Sequence, residues 1–505
     1  MCDQTVRVSC GVFCKKLFKM LYTVFCSLFC SSLDLGNVQA EERLQPDIIL
    51  VVTDDQRPDT IGALGNSNIR TPHLDRLVRS GMTFRRAYTG YPICYASRAQ
   101  LITGCNAFTA LENYPRSQIN SQLATLANTL SGAGYTTVYS GKWHNDGNPL
   151  NRGYDRVAAL YSAGGGKHVT MPETDSRGMP LTGYRGWTFK GEDNQPRLDI
   201  GVGLNPDNSR VIGTEVAQFI RDASSDKPLF LHVNFAFPHD PRMWPTGMEG
   251  DYDAALLPLP ANFRRDHPFD HGNQGGRDEV LLPRPLDSQQ VRQELAIYYA
   301  MITDIDREVG RILTSLEDTG RLSNALFVFT SDQGLALGSH GLLGKQNQYE
   351  HSIRSPLVIA GSHGLCPESP LPDHVASVDR QIGANIQSER LVQLSDLFPT
   401  LCDYAGVAIP ETVQGKSLLP LLNESTASVH RVIYGVFTDT QRMICSDRWK
   451  LIHYPQAGHR QLFDLKSDPN EMVNRIDDPT CADVQEKLGQ SLLRWQKANR
   501  DPLLQ

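Results

Sequence analysis

Four apolar runs of strand length set the tightest limit on what this chain can fold into. Residues 47–53 read Asp-Ile-Ile-Leu-Val-Val-Thr, and residues 229–235, 325–330 and 357–360 repeat the pattern. Runs that are apolar at successive positions, rather than at alternate ones, belong to strands covered on both faces, as in a parallel sheet with helices on either side. Helical spacing fills the intervals at 71–79, at 123–130 and most extensively at 291–317, where Leu295, Tyr298, Tyr299, Ile302, Ile305 and Val309 share one stripe. A shorter strand is expected at 135–139. Strands alternating with helices predict an α/β fold on a mainly parallel central sheet flanked by helices.

In such a sheet the chemistry gathers beyond the carboxyl ends of the strands. Polar residues stand at four of those ends: Asp54-Asp55 after the first run, Lys142-Trp143-His144 after 135–139, Pro238-His239 after 229–235, and Ser331-Asp332-Gln333 after 325–330. Segments 151–210 and 240–290 are irregular and rich in Gly, Pro and polar residues, and insertions of this length usually line a site. From about residue 376 the pattern changes to a helix around 391–401 and then to short strands at 432–438, 442–446, 449–454 and 461–464. The expected organisation is a catalytic domain over 41–375 and a smaller C-terminal subdomain over 376–505 carrying a short antiparallel sheet. Asp396 and Asp403 on the 391–401 helix and its continuation are expected to serve solvation.

The 505 residues exceed one ordinary core of about 100–200 residues. A net charge of -7 offers no basic excess for nucleic acid, which is excluded as a partner. At the amino end, Arg7, Lys15, Lys16 and Lys19 precede an apolar run at 21–30, and Val38-Gln39-Ala40 supplies small residues at a cleavage spacing. The run is shorter than the roughly 20 residues that span a bilayer. Residues 1–40 therefore read as a signal peptide, which implies export to the periplasm or beyond, a mature chain starting near Glu41, and no stable membrane span in it. Five of the 11 cysteines (Cys2, Cys10, Cys14, Cys26, Cys30) fall in this leader. The rest of the chain keeps six, and if Cys94 stays out of any bridge, Cys105, Cys366, Cys402, Cys445 and Cys481 leave room for at most two disulfides, whose pairing the sequence does not fix.

The stretch from Cys94 to Gly104, Cys-Tyr-Ala-Ser-Arg-Ala-Gln-Leu-Ile-Thr-Gly, carries the most specific chemistry. It resembles the signature of type I, formylglycine-dependent sulfatases of the alkaline phosphatase-like superfamily, C-x-P-S-R followed by T-G. Ordered matches continue through Asp54-Asp55, Gly141 to His144, Pro238-His239, Ser331 to Gly334, Gly344-Lys345, Glu350 to Pro356, Gln414 to Pro420 and Gln461 to Pro469. Two positions depart from the pattern: Ala96 stands where proline is usual, and Gln333 where asparagine or histidine often follows the aspartate.

The resemblance implies hydrolysis of a sulfate ester. A maturation enzyme would oxidise Cys94 to formylglycine, whose hydrated aldehyde supplies the attacking hydroxyl and whose collapse releases sulfate. It implies a metal site of Asp54, Asp55, Asp332, Gln333 and the modified Cys94, and the all-oxygen chemistry suits one Ca²⁺, or Mg²⁺, better than a softer ion. Arg98, one helical turn beyond Cys94, is expected to face it. Lys142 and Lys345 suit the sulfate oxygens, and by analogy His144 serves the diol and His239 protonates the leaving alcohol. Taken alone, Asp54-Asp55 reads sooner as a helix cap and His239 as the histidine of a proline turn; the joint pattern reverses this and favours the site. His73, His168, His232, His351 and His453 read as structural or surface residues. The substrate is expected to be a sulfated small molecule or carbohydrate, engaged beyond the sulfate pocket by the 240–290 insertion through Arg264, Arg265, His267 and His271 beside Trp244. A phosphonate monoester or phosphodiester hydrolase shares the fold and the device, and an inactive sulfated-glycan-binding protein is the alternative from another class.

Overall fold

The computed structural model describes residues 45–169, 172–175, 178–224, 226–366, 382–423 and 428–505. The expected signal peptide lies outside the described residues. The first apolar run forms strand β1 (Asp47–Thr53), buried along its whole length. Its even-numbered residues Ile48, Leu50 and Val52 enter one core, and Ile49 and Val51 enter another on the opposite face. Each such side chain contributes about 1.5–3 kcal/mol relative to exposure, which is why the strand is apolar at successive positions.

The main sheet comprises β1 with β2 (Met82–Tyr88), β3 (Thr136–Trp143), β4 (Arg156–Ala163), β5 (Trp187–Lys190), β6 (Leu229–Asn234), β7 (Ala325–Ser331), β8 (Arg354–Ser355), β9 (Leu357–Gly361) and β10 (Ile386–Gln393). Its order is β10-β2-β9-β7-β1-β6-β3-β4-β5, with β8 on β2. The central block β7-β1-β6-β3-β4 is parallel throughout, while β9, β8 and β5 pair antiparallel. The fold is thus α/β with a mostly parallel central sheet. The longest helix, Ser288–Asp318, presents Ile297, Met301, Ile305, Val309 and Ile312 to the core shared with β1 and β7. A separate antiparallel sheet follows in the order β11 (Val432–Phe437), β12 (Gln441–Ser446), β13 (Trp449–Tyr454), β14 (His459–Asp464).

Three expectations need correction. The strand expected at 135–139 runs on as β3 to Trp143, so Lys142 lies on a strand rather than after it. Its extension requires Gly141 (φ 84°), because a Cβ there would meet the Asn234 carbonyl oxygen at 1.8 Å. Residues 391–393 are not helical: they close β10, which pairs in parallel with β2, and the helix proper spans Leu397–Ala405. Asp396 does not serve solvation. It is fully buried at this strand-to-helix junction, accepting from the Gln393 and Lys416 amides at 2.8 Å each and meeting His430 Nε2 at 2.8 Å. Backbone donors at such a junction have no ladder or helix partner, and the carboxylate supplies one. All six cysteines from Cys94 onward are free thiols, so neither allowed disulfide forms.

Candidate active site

Register assembles the acidic residues. Thr53 of β1 pairs with Ser331 of β7, so Asp54-Asp55 and Asp332-Gln333 leave the sheet side by side. The backbone locks the arrangement: the Asp332 amide donates to the Thr53 carbonyl at 3.1 Å, and the Asp55 amide to Asp332 Oδ1 at 3.1 Å. Carboxylate oxygens of Asp54, Asp55 and Asp332 lie within 4.8 Å of one another, all buried. Crowding three carboxylates out of water is costly. Burial and the neighbouring Asp54 and Asp332 push the Asp55 carboxyl up to about 8 despite Lys345, and burial with Asp54 pushes Asp332 up to about 6. Burial acts on Asp54 in the same sense, but Lys142 and Arg98 outweigh it and hold that carboxyl well below its ordinary value.

Cys94 is the first residue of the helix Cys94–Thr103, entered from extended Ile93 and ended by left-handed Gly104 (φ 66°). This places its side chain at the positive end of a buried helix. The Cys94 thiol donates to Asp54 Oδ1 at 3.2 Å and accepts from Gln333 Nε2 at 3.2 Å. Burial and Asp54 push the thiol well above its ordinary value, so it is protonated. Arg98 shares the helix face but is engaged elsewhere. Its Nε donates to Asp332 Oδ2 at 3.0 Å and its Nη1 to Asn234 Oδ1 at 2.6 Å, so it anchors the acidic cluster rather than residue 94 directly. Ser97 Oγ adds a bond to the Asp332 carbonyl at 2.5 Å.

Lys142 Nζ donates to Asp54 Oδ2, and Lys345 Nζ to Asp55 Oδ2 at 2.8 Å, with Asp278 Oδ2 at 3.3 Å. His239 meets the Asp240 carbonyl through Nδ1 at 2.6 Å; its Nε2 lies 3.7 Å from Asp55 and 3.2 Å from Arg277 Nη2. His144 is half-buried among aromatic rings, 5.2 Å from Trp187 and 6.3 Å from Tyr95, with Nδ1 unpaired among the described residues. Burial, together with Lys142 beside His144 and Lys345 beside His239, holds both imidazoles well below their ordinary range and therefore neutral. Gln333 donates to Asp55 Oδ1 at 2.6 Å, while its Oε1 is buried without a partner among the described residues. All ten expected site residues thus converge on one region, with Arg98 the one set back from residue 94.

The site opens into a cavity of about 260 Å³ lined by Cys94, His144, His239 and Lys345, and also by Tyr95, Tyr184, Trp187 and Arg277. The last four were not expected. Tyr184 and Trp187 come from the 151–210 insertion and Arg277 from the 240–290 insertion, so both segments do line the site. Tyr184 donates its hydroxyl to Asp54 Oδ2 and packs 4.7 Å from His239. The cluster expected to act beyond the sulfate pocket stays outside this cavity: neither Arg264, Arg265, His267, His271 nor Trp244 lines it. Trp244 packs against two of the apolar cores, and His267 and His271 are buried near Tyr349 and Gln441. A basic, aromatic stretch looks alike in sequence whether its rings face a ligand or the interior. His73, His168, His232, His351 and His453 also lie outside the cavity lining, as expected.

Residues 46–407 match the family model described as Sulfatase, and residues 338–498 that described as N-sulphoglucosamine sulphohydrolase, C-terminal. An arylsulfatase of Clostridium perfringens is 30% identical over 453 residues, covering 86% of this chain and 90% of its own length. An N-acetylglucosamine-6-O-sulfatase of Bacteroides thetaiotaomicron is 27% identical over 539 aligned residues, covering 92% and 89%. A solved structure described as in complex with its substrate D-glucosamine-2-N,6-O-disulfate superposes with a TM-score of 0.72 at 24% identity, covering 90% of this chain and 98% of that one.

Proposed function

The chain belongs to the sulfatase family and is a sulfuric ester hydrolase, and on that premise we propose that it hydrolyses a sulfated carbohydrate after export, using formylglycine made from Cys94 and a calcium ion. The observation that carries the reading is the placement of Cys94. It heads a buried helix, in contact with the acidic cluster and open to a cavity. A thiol acts as a nucleophile only as thiolate, and this one is held protonated by burial and by Asp54. Conversion of residue 94 resolves the conflict, since the hydrated aldehyde brings its own attacking hydroxyl.

The residues present fit a divalent cation. Asp54, Asp55 and Asp332 offer hard anionic oxygens within 4.8 Å of one another, and the Asp55 carboxyl is pushed up to about 8 partly because that negative charge is uncompensated. The partnerless Gln333 Oε1 supplies a neutral oxygen beside them once the amide is turned about its last bond, since amide oxygen and nitrogen occupy equivalent positions. Bound there, the cation would polarise a sulfate oxygen and lower the pKa of the group at residue 94.

The chain's own residues complete the chemistry. Lys142 and Lys345 are fixed, dry positive charges next to the reacting centre, where they stabilise sulfate oxygens best. His239, oriented through Nδ1 by the Asp240 carbonyl, presents Nε2 to the cavity, and a proton taken up there from solvent as the anionic substrate binds passes to the leaving alcohol. His144 lines the same cavity and takes the proton released from residue 94. The carbohydrate half is supported by the sulfated glucosamine named for two relatives and by the Trp187 and Tyr184 rings. Among the described residues no helix is long and apolar enough to cross a membrane.

Matured protein should turn over 4-nitrophenyl sulfate far faster than a phenyl phosphonate ester; the reverse preference would assign the site to phosphonate hydrolysis instead. Exhaustive demetallation, checked by elemental analysis, should abolish sulfatase turnover and added Ca²⁺ should restore it. Titration calorimetry should find metal affinity reduced more by Asp55→Ala than by Gln333→Ala, because a carboxylate attracts the ion more strongly than a neutral carbonyl. Full turnover by metal-free protein would rule the metal site out.

A further inference from the structure

Among the described residues, the cations at the site all meet carboxylates, but one of them is not buried. Arg98, Lys142 and Lys345 have side chains 4%, 0% and 2% exposed, whereas Arg277 is 39% exposed while lining the cavity beside Cys94. Its guanidinium is clamped along one edge. Nε donates to Asp278 Oδ1 at 2.7 Å, and Nη2 reaches Asp240 Oδ1 at 3.2 Å and His239 Nε2 at 3.2 Å. Both clamping carboxylates are buried, and among the described residues Nη1 has no partner. A guanidinium held through one edge by buried acids, with its free corner at a cavity, is pre-organised to receive an anion.

The geometry points to Arg277 as a specificity-determining residue that binds a second anionic substituent, a sulfate or a carboxylate, on the alcohol half of the substrate. This rests on the sulfatase reading and on His239 facing the leaving oxygen. Because Arg277 Nη2 is 3.2 Å from His239 Nε2, the second anion sits close to the scissile ester, on the same ring rather than on a distant sugar of a chain. Trp187 and Tyr184, on the same cavity wall as His144 and His239, give that ring an aromatic surface to lie against. The enzyme is thereby tuned to rings carrying two anions.

The test compares phenyl sulfate with benzene 1,2-, 1,3- and 1,4-bis-sulfate, none of which needs the natural sugar to be known. For the wild type, at least one bis-sulfate should show a KM roughly 10- to 100-fold below that of phenyl sulfate, the range of one or two charge-assisted hydrogen bonds, with a smaller change in kcat. Arg277→Ala should erase that advantage, each variant being scored by the ratio of its two substrates so that general losses divide out, and Arg277→Lys should keep part of it. Arg277→Gln carries the same comparison if the alanine variant does not fold. The proposal is overturned if no bis-sulfate gains over phenyl sulfate, or if the gain survives Arg277→Ala. Failure of matured wild type to turn over phenyl sulfate at all would instead overturn the reading beneath it.

Discussion

Cys94→Ala will lower turnover of an aryl sulfate by about 10⁴-fold or more while the circular dichroism of the protein stays that of the wild type, because the residue that attacks sulfur is gone and the charged pocket around it remains. Cys94→Ser is expected to be nearly as damaged for a separate reason. It restores a hydroxyl near Asp54 and Gln333, but its carbon carries no second oxygen through which sulfate can be expelled, so the enzyme stops after one attack. A buried structural cysteine would behave differently, since loss of one small side chain from a core perturbs stability and spares kcat. Substantial steady-state activity in either variant would place the nucleophile elsewhere.

The largest expected loss of stability lies outside the catalytic residues, where β12 meets residues 496–503. Arg442 and Asp501 are both fully buried and joined by two hydrogen bonds, Nε to Oδ2 at 2.6 Å and Nη2 to Oδ1 at 2.7 Å. Gln496 Nε2 and the Leu503 amide complete the carboxylate's partners at 2.8 and 3.0 Å. Burial opposes the charged form of Asp501, but Arg442 and the Leu503 amide outweigh it and lower its pKa. A depressed carboxyl contributes stability that is complete above the unfolded value of about 3.9 and is lost as pH falls through the lower folded value. Arg442→Met should therefore destabilise the fold by roughly 3–5 kcal/mol at neutral pH, because it leaves a buried charge without its partner. Adding Asp501→Leu should recover most of that loss in urea melts. If the single variant matches the wild type, the pair is not what fastens the chain end.

How far the sequence announces all this depends on which force shapes each element. The β1 run and its neighbours are legible because burial on both faces demands unbroken apolar stretches, and the polar residues that interrupt them at strand ends stand out as site residues. Cys94 and Arg98 at one-turn spacing announce their helix, although spacing alone did not say that Asp332 and Asn234 would take the guanidinium. Tyr184, Trp187 and Arg277 went unseen because they sit on irregular segments without periodicity, where only the fold brings them to the cavity. Asp396 misleads for the opposite reason. Helical spacing runs through 391–396, and a carboxylate on an exposed helix face looks in sequence like one that caps a buried junction. Strand β10 is hidden in the same stretch, since its burial is irregular, with Gln387, Glu389 and Arg390 exposed and a register shift between Ser388 and Leu391 that breaks the period of two.

The measurement that bears most directly on the account is the mass of the peptide carrying residue 94, taken from protein co-expressed with a formylglycine-generating maturation enzyme and shown to hydrolyse an aryl sulfate. The account predicts a peptide in which residue 94 has lost sulfur and two hydrogens and gained one oxygen, reactive toward hydrazide, in a fraction that rises in proportion to specific activity. An intact thiol at residue 94 throughout a fully active preparation would contradict it.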